Sequence, residues 1–214
     1  MKTKILKINS EEPQKKIIEE AVNVMRRGGL VIYPTETCYG IGADATNAQS
    51  IKRVYKVKKR PRHKPISILV SDLKMIEKYG KITKEIRFLV KKFLPGPLTI
   101  ITQTSKSLPG IPSRKEIGFR ISSHPVASEL VKKMDSPITT TSANLSGEPP
   151  IYKISDIIKK FYGKVELILD SGDLPRKKPS TIIHVKKRKI LREGSLPGKT
   201  IIKELERLKR KKLD

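Results

Sequence analysis

The chain has 214 residues, with 47 Lys plus Arg against 21 Asp plus Glu, a formal net charge of +26. A field of that sign attracts polyanions such as RNA, DNA and nucleotides. The length supports one well-buried core or two small ones. No stretch approaches the roughly 18–20 apolar residues of a membrane span, Met1–Leu6 lacks the apolar core of a signal peptide, and the single Cys38 rules out an internal disulfide and a cysteine-cluster zinc site. The expectation is a cytoplasmic protein with no membrane partner.

In chain order, Ser10–Arg27 reads as a helix with Pro13 in its first turn and Ile17, Ile18, Ala21, Val22 and Met25 on one face. Gly28-Gly29 stops it, and Leu30–Tyr33 is a buried strand that Pro34 ends. The next stretch, Pro34-Thr35-Glu36-Thr37-Cys38-Tyr39-Gly40-Ile41-Gly42, reads as a polar, glycine-punctuated loop, the place where open α/β sheets bind ligands. A plain strand-to-helix turn is the simpler alternative, and Cys38 reads as a small packing residue. Asn47 can cap a helix striped by Ile51, Val54 and Tyr55. Then follow a strand at Ile66–Val70, helices at Asp72–Tyr79 and Thr83–Phe93, a β-rich Leu98–Thr102, a loop over Thr104–Lys115, a strand at Ile117–Ile121 and a helix at Pro125–Met134. Ile138–Thr141 is a strand leading into a second small polar loop, Ser142–Gly147. Ser155–Tyr162 is helical, Val165–Leu169, Thr181–Val185 and Lys189–Arg192 are strands, and Thr200–Lys212 is a basic helix. Interleaved helices and strands argue a single-domain α/β protein with a mixed sheet, partly antiparallel in its late strands. The division expected is residues 1–198 as the working domain and 199–214 as a basic helical tail.

Two blocks concentrate the charge. Lys52–Lys64 and Arg176–Arg192 each carry eight basic residues and no acid. Cations in the first block, notably Lys58 and Arg60, could clamp a polyphosphate or follow an RNA backbone; a solvated helix C-terminus favours the same residues. Gly194–Thr200 looks like a phosphate loop but is one residue short, and Pro197 removes an amide, so it reads as a turn and helix start. His63, His124 and His184 are scattered and read as surface or structural, with no metal ligand set. Chemistry here would be run by cations, hydroxyls and backbone amides, which suits phosphoryl or nucleotidyl transfer.

Seven stretches in order, GGLVIYPTETCYGIGADA, KKRP-x-x-KPI, LPGPLTII, IGFRISSHPVA, TTSANLSG, PSTIIHV and ILREG, resemble the YrdC-like threonylcarbamoyl-AMP synthases. The resemblance runs from about Ser10 to Gly198, and with the chain stopping at Asp214 it is to the short form. It implies a twisted open sheet with a concave basic cleft, and a nucleotidyltransferase that joins L-threonine, bicarbonate and ATP into threonylcarbamoyl-adenylate and releases pyrophosphate. A transferase partner, the tRNA threonylcarbamoyl-transferase complex, then modifies the adenosine beside the anticodon of tRNAs reading ANN codons. By match, Thr35, Arg120, Thr140 and Ser180 are the threonine-side residues, with Arg120 on the carboxylate. Lys58 and Arg60 are the phosphate-binding, catalytic cations. Lys64, Ser142, Asn144 and Arg192 are on the ATP side. Leu69 stands near where some members carry a His.

The chemistry implied explains the lack of a His/Asp apparatus. Threonine's amine captures CO₂ or bicarbonate to give a carbamate, whose oxygen is already anionic and can attack the α-phosphorus without a dedicated base. Mg²⁺ held mainly by the ATP phosphates needs few protein ligands. The alternative is a non-catalytic RNA-, tRNA- or ribosome-binding protein using the basic cleft. A nucleotidyl transferase acting on another amino acid is a third possibility.

Overall fold

The computed structural model describes residues 2–112 and 115–210. In chain order the elements are β1 (Lys4–Lys7), α1 (Lys15–Arg26), β2 (Val31–Tyr33), β3 (Gly40–Gly42), α2 (Ala48–Val57), β4 (Ser67–Leu69), α3 (Leu73–Glu77), α4 (Lys84–Phe93), β5 (Leu98–Gln103), β6 (Glu116–Arg120), α5 (Pro125–Met134), β7 (Ile138–Ser142), α6 (Ile154–Phe161), β8 (Leu167–Asp170), β9 (Thr181–His184), β10 (Lys189–Arg192) and α7 (Gly198–Arg210). Among the described residues the ten strands make one twisted open sheet in the order β1-β8-β2-β3-β7-β4-β6-β5-β9-β10. The sheet mixes parallel pairs (β1–β8, β2–β8, β4–β6, β5–β9) with antiparallel ones (β2–β3, β3–β7, β4–β7, β5–β6, β9–β10). The mixed single-domain α/β sheet read from the sequence is the fold observed. The antiparallel pairs run through the middle of the sheet as well as through its late strands.

Local sequence explains most elements. Helix α1 buries Ile18, Ala21, Val22 and Met25, the face its periodicity marks. Asn47 Oδ1 accepts the Gln49 and Ser50 amides at 2.9 and 3.2 Å and so caps α2. Asp72 and Thr83 cap α3 and α4 in the same way. Helix α2 ends in a Schellman closure: the Arg60 amide donates to Tyr55 O at 2.9 Å and the Lys59 amide to Lys56 O at 3.1 Å. Lys59 fills the left-handed position that glycine usually takes, with φ of 49°. That turn sends Lys58 and Arg60, two residues apart, in different directions.

Two strands depart from the sequence reading. Gly40-Ile41-Gly42, expected as loop running on to a helix, is the central strand β3, so Pro34–Tyr39 is a strand-to-strand connection and neither a strand-to-helix turn nor a long loop. Glycine has poor strand propensity, but a Cβ on Gly42 would lie 2.8 Å from Tyr33 Cε1; the missing side chain makes room for the buried Tyr33 ring. Strand β1 was not expected. It is a four-residue edge strand whose lysines blunt the sheet edge and hide its alternation.

Helix α7 starts at Gly198 and is described to Arg210; Lys211 and Lys212, also expected in it, lie outside the described residues, as do Ser113 and Arg114 of the Thr104–Lys115 loop. It buries Ile201 and Leu205, and Glu204 meets Lys92 of α4 at 2.5 Å. The Gly198 amide donates to Glu193 Oε2 at 3.0 Å, so the chain's own carboxylate serves the first turn of α7 and the stretch is a turn and helix start, as read. His124 caps α5 through the Val126 amide, and buried His184 meets Glu116. No helix among the described residues is long and apolar enough to cross a membrane.

Strands β9 and β10 shift register between Ile190 and Arg192, and the segments just outside them, at the site end, are closely packed. A Cβ on Gly194 would lie 2.1 Å from Pro179 O and 2.5 Å from Ser180 C. These are backbone atoms that cannot swing aside. Gly194→Ala is expected to cost about 2–3 kcal/mol in urea unfolding, and an unchanged midpoint would contradict this close approach.

Candidate active site

Strand ends on both sides of β7 enclose a cavity of about 310 Å³. Thr35, following β2, lines it together with Arg120 at the end of β6, Thr140 and Ser142 on β7, Asn144 just beyond, Ser180 at the start of β9, Arg192 at the end of β10, and Arg60 after α2. Eight of the ten residues selected from sequence therefore share one hollow. Lys58 and Lys64 are not on its wall.

Lys58 is 1% exposed. Its ammonium donates to Ser142 O, to Asn144 O at 2.8 Å and to Asn144 Oδ1 at 2.9 Å, and its own carbonyl accepts the Ser146 amide at 2.8 Å. Asn144 Oδ1 also accepts Ser142 Oγ at 2.7 Å, while Asn144 Nδ2 donates to Glu148 O. Lys58 is thus the peg on which the Ser142–Gly147 loop hangs. Burial, then repulsion by Arg60, lowers its pKa to about 8. Lys64 is exposed and contributes its carbonyl, which accepts Tyr55 Oη at 2.8 Å and Arg60 Nε at 3.2 Å. Arg60 Nη2 reaches Pro65 O at 2.8 Å, so that guanidinium is steered along the rim.

The loop after β2 folds on itself. Thr35 Oγ1 accepts the Thr37 and Cys38 amides, both at 3.2 Å, and donates to Cys38 O at 2.7 Å. Thr37 Oγ1 accepts from Arg120 Nη1 and Nη2, each at 3.3 Å. Arg120, 6% exposed, pairs through Nη2 with Glu36 Oε1 at 2.9 Å. Burial pushes the Glu36 carboxyl up, but the Arg120 charge and the Ser122 hydroxyl outweigh it and hold the group below the usual carboxylate value. Across the cavity, Arg192 Nε and Nη2 donate to Ser180 O at 3.1 and 2.8 Å, and Nη2 also to Ser180 Oγ at 3.0 Å; Ser180 Oγ lies 2.9 Å from Thr99 Oγ1. Burial and the nearby Arg120 charge lower the Arg192 pKa. Burial likewise pushes the Cys38 thiol up, so it stays a neutral packing group on the wall. Glu36, Thr37 and Thr99 were not singled out from sequence. Glu36 stood in the chosen loop, but only the fold brings it to Arg120, 84 residues away in sequence.

Three guanidinium groups facing one hydroxyl-lined hollow at strand ends define an anion-gathering site on an open α/β sheet. The Sua5/YciO/YrdC family model, described as "Telomere recombination", matches residues 23–194. The chain belongs to the Sua5/YciO/YrdC family. A Methanocaldococcus jannaschii relative is 40% identical over 201 residues, 92% of this chain and 96% of its own length. The threonylcarbamoyl-AMP synthase of Pyrococcus abyssi is 35% identical over 87% of this chain, which spans 56% of that protein. Among solved structures, Pyrococcus abyssi Sua5 complexed with L-threonine superposes with a TM-score of 0.88 at 34% identity, covering 94% of this chain and 60% of that one. Escherichia coli YciO gives 0.82 at 27% identity, over 90% and 96%.

Lys58 makes the site sensitive to pH. Below about pH 8 its ammonium is charged in folded and unfolded chains alike, and its burial weighs against the fold. Between about 8 and the ordinary 10.5 the unfolded chain keeps the proton that the folded chain has lost, so this cost fades as pH rises. The gain is on the order of 3 kcal/mol. Urea-unfolding curves across that range should show stability rising relative to Lys58→Met; parallel curves for the two proteins would contradict it.

Proposed function

We propose that the chain is a threonylcarbamoyl-AMP synthase, a nucleotidyltransferase that makes threonylcarbamoyl-adenylate from L-threonine, bicarbonate and ATP for N6-threonylcarbamoyladenosine in tRNA. The observation that carries this is the convergence of Arg60, Arg120 and Arg192 on one hydroxyl-lined cavity. The named synthase among the relatives and the L-threonine complex among the structural neighbours support it, and an enzyme is favoured over a non-catalytic RNA-binding module.

In this reading Arg120 forks the carboxylate of threonine. Thr35, Thr140 and Ser180 contact its small polar groups, and Arg60, Ser142, Asn144 and Arg192 receive ATP. The amine attacks bicarbonate carbon and water leaves. A carbamate oxygen then bonds to the α-phosphorus as the bond to pyrophosphate breaks. The residues hold two anions in line and neutralise charge as it shifts to the leaving pyrophosphate. Lys58 acts by holding the Ser142 and Asn144 loop, and Lys64 by its carbonyl on Arg60. The donor set fits a Mg²⁺ carried in on phosphate oxygens: Glu148 is the one carboxylate on the cavity wall among the described residues, and Ser142 offers a hydroxyl. When bound, the ion would shield the phosphate charge. The product would pass to the tRNA-modifying transferase complex in the cytoplasm. Residues 1–198 would carry the catalytic groups, with the basic helix α7 packed onto the same core through Ile201 and Leu205.

Pyrophosphate release from ATP should require both L-threonine and bicarbonate, and Arg120→Ala should raise the threonine concentration needed at least about tenfold, the loss of a charge-assisted pair. Release indifferent to threonine would overturn the assignment.

A further inference from the structure

The Arg120 guanidinium has no freedom of its own in this fold. Its Nη groups share the Thr37 hydroxyl, and Nη2 carries the Glu36 carboxylate at 2.9 Å. Its Nε–H is buried and has no partner among the described residues. Glu36 is fixed in turn. Its Oε2 accepts the Ser122 hydroxyl, and its Oε1 also accepts the Ser123 amide at 3.3 Å. Ser122 Oγ accepts the His124 amide at 3.2 Å at the entry to α5. A rigid turn between β6 and α5 thus grips a carboxylate that comes from the loop after β2, and that carboxylate grips the arginine. Glu36 is not on the cavity wall, whereas Arg120 is.

We propose that Glu36 is the positioning residue that holds Arg120 in the orientation that receives the carboxylate of the amino-acid substrate. The inference rests on the synthase reading, and it adds a residue to which no role in that reaction has been given above. Two physical needs meet in Glu36. A buried guanidinium must be paired from behind to remain buried and charged. Two cations, Arg120 and Arg192, also face one cavity, and an anion behind the first lowers their mutual repulsion before any ligand arrives. A cation clamped on one side by a fixed carboxylate presents its remaining N–H donors in one geometry. The incoming carboxylate then takes the place of the Thr37 hydroxyl on the Nη1–Nη2 edge, an edge whose orientation Glu36 has already set.

The test is a double-mutant cycle on threonine-dependent pyrophosphate release, with L-threonine affinity read in parallel by calorimetry. Glu36→Gln keeps the shape and removes the charge. It is expected to raise KM for threonine about tenfold while KM for ATP stays within about twofold. Glu36→Asp should recover part of the loss. In an Arg120→Ala background, Glu36→Gln should add no further threonine penalty, because there is no guanidinium left to hold. A general packing defect would penalise both backgrounds and both substrates alike, and that result would overturn the proposal. So would a threonine KM that is unchanged or lowered in Glu36→Gln. Should that variant fail to fold, Glu36→Asp and Ser122→Ala carry the same comparison in both backgrounds. A wild-type chain that neither binds nor needs threonine sinks the synthase reading itself, whereas a wild type that needs threonine and a Glu36→Gln that needs it equally sink only this inference.

Discussion

A buried ammonium ties the exit of α2 to the exit of β7. Lys58 sits at the end of α2, and all three of its acceptors belong to the segment leaving β7, the strand that bonds to β3 on one side and β4 on the other. Removing the cation would take from the Asn144 carbonyl the donor it has in Lys58, at a cost of about 1–3 kcal/mol, while Ser142 O would keep the Asn144 amide at 3.0 Å and Asn144 Oδ1 the Ser142 hydroxyl at 2.7 Å. Leaving it in place, but unpaired, would cost more. The Ser142–Gly147 loop is therefore set by the exit of α2, and the Schellman turn that buries Lys58 also aims Arg60 at the cavity. One local motif thus fixes both the wall and a cation on it.

The same economy recurs at the other cations. Arg120 and Arg192 are held by groups from other parts of the fold, and Arg60 by its own loop. Arg60 is steered by the carbonyls of Lys64 and Pro65, Arg120 by Glu36 and Thr37, and Arg192 by Ser180. The backbone at Gly194, just past Arg192, runs close against Pro179 and Ser180, the residue whose carbonyl Arg192 reaches. Three like charges around a hollow repel one another, and these short contacts are what keep them facing it. The formal charge of +26 supplies a long-range field for anions, but these few short contacts decide where an anion would rest.

Much of this was legible in the chain because local rules and the fold agree. Asn47 announced its helix by capping chemistry, the helices beginning at Asp72 and Thr83 were read near their caps, and the apolar stripe of α1 was read at the right phase. The candidate residues were found through motif resemblance, since no spacing rule links Thr35 to Arg120 or Ser180. What stayed hidden has physical causes. Strand β3 is glycine-rich because Tyr33 needs the space, so tertiary packing overrode propensity. Edge strand β1 is protected by the lysines that mask it. Lys58 looked like a ligand-facing cation, and only the fold shows its ammonium turned onto the protein's own carbonyls. Glu36 was one acid in a polar loop until β6 brought Arg120 against it.

The central claim is that this hollow brings an amino-acid carbamate to the α-phosphorus of a nucleotide. Supplying ¹³C-bicarbonate with ATP and L-threonine, and examining the rapidly quenched mixture by mass spectrometry, tests it most directly. The account expects an adenylate of L-threonine that carries one added carbon from bicarbonate, and none when threonine is omitted. An adenylate without the label, or no adenylate while the folded protein consumes ATP, would contradict it.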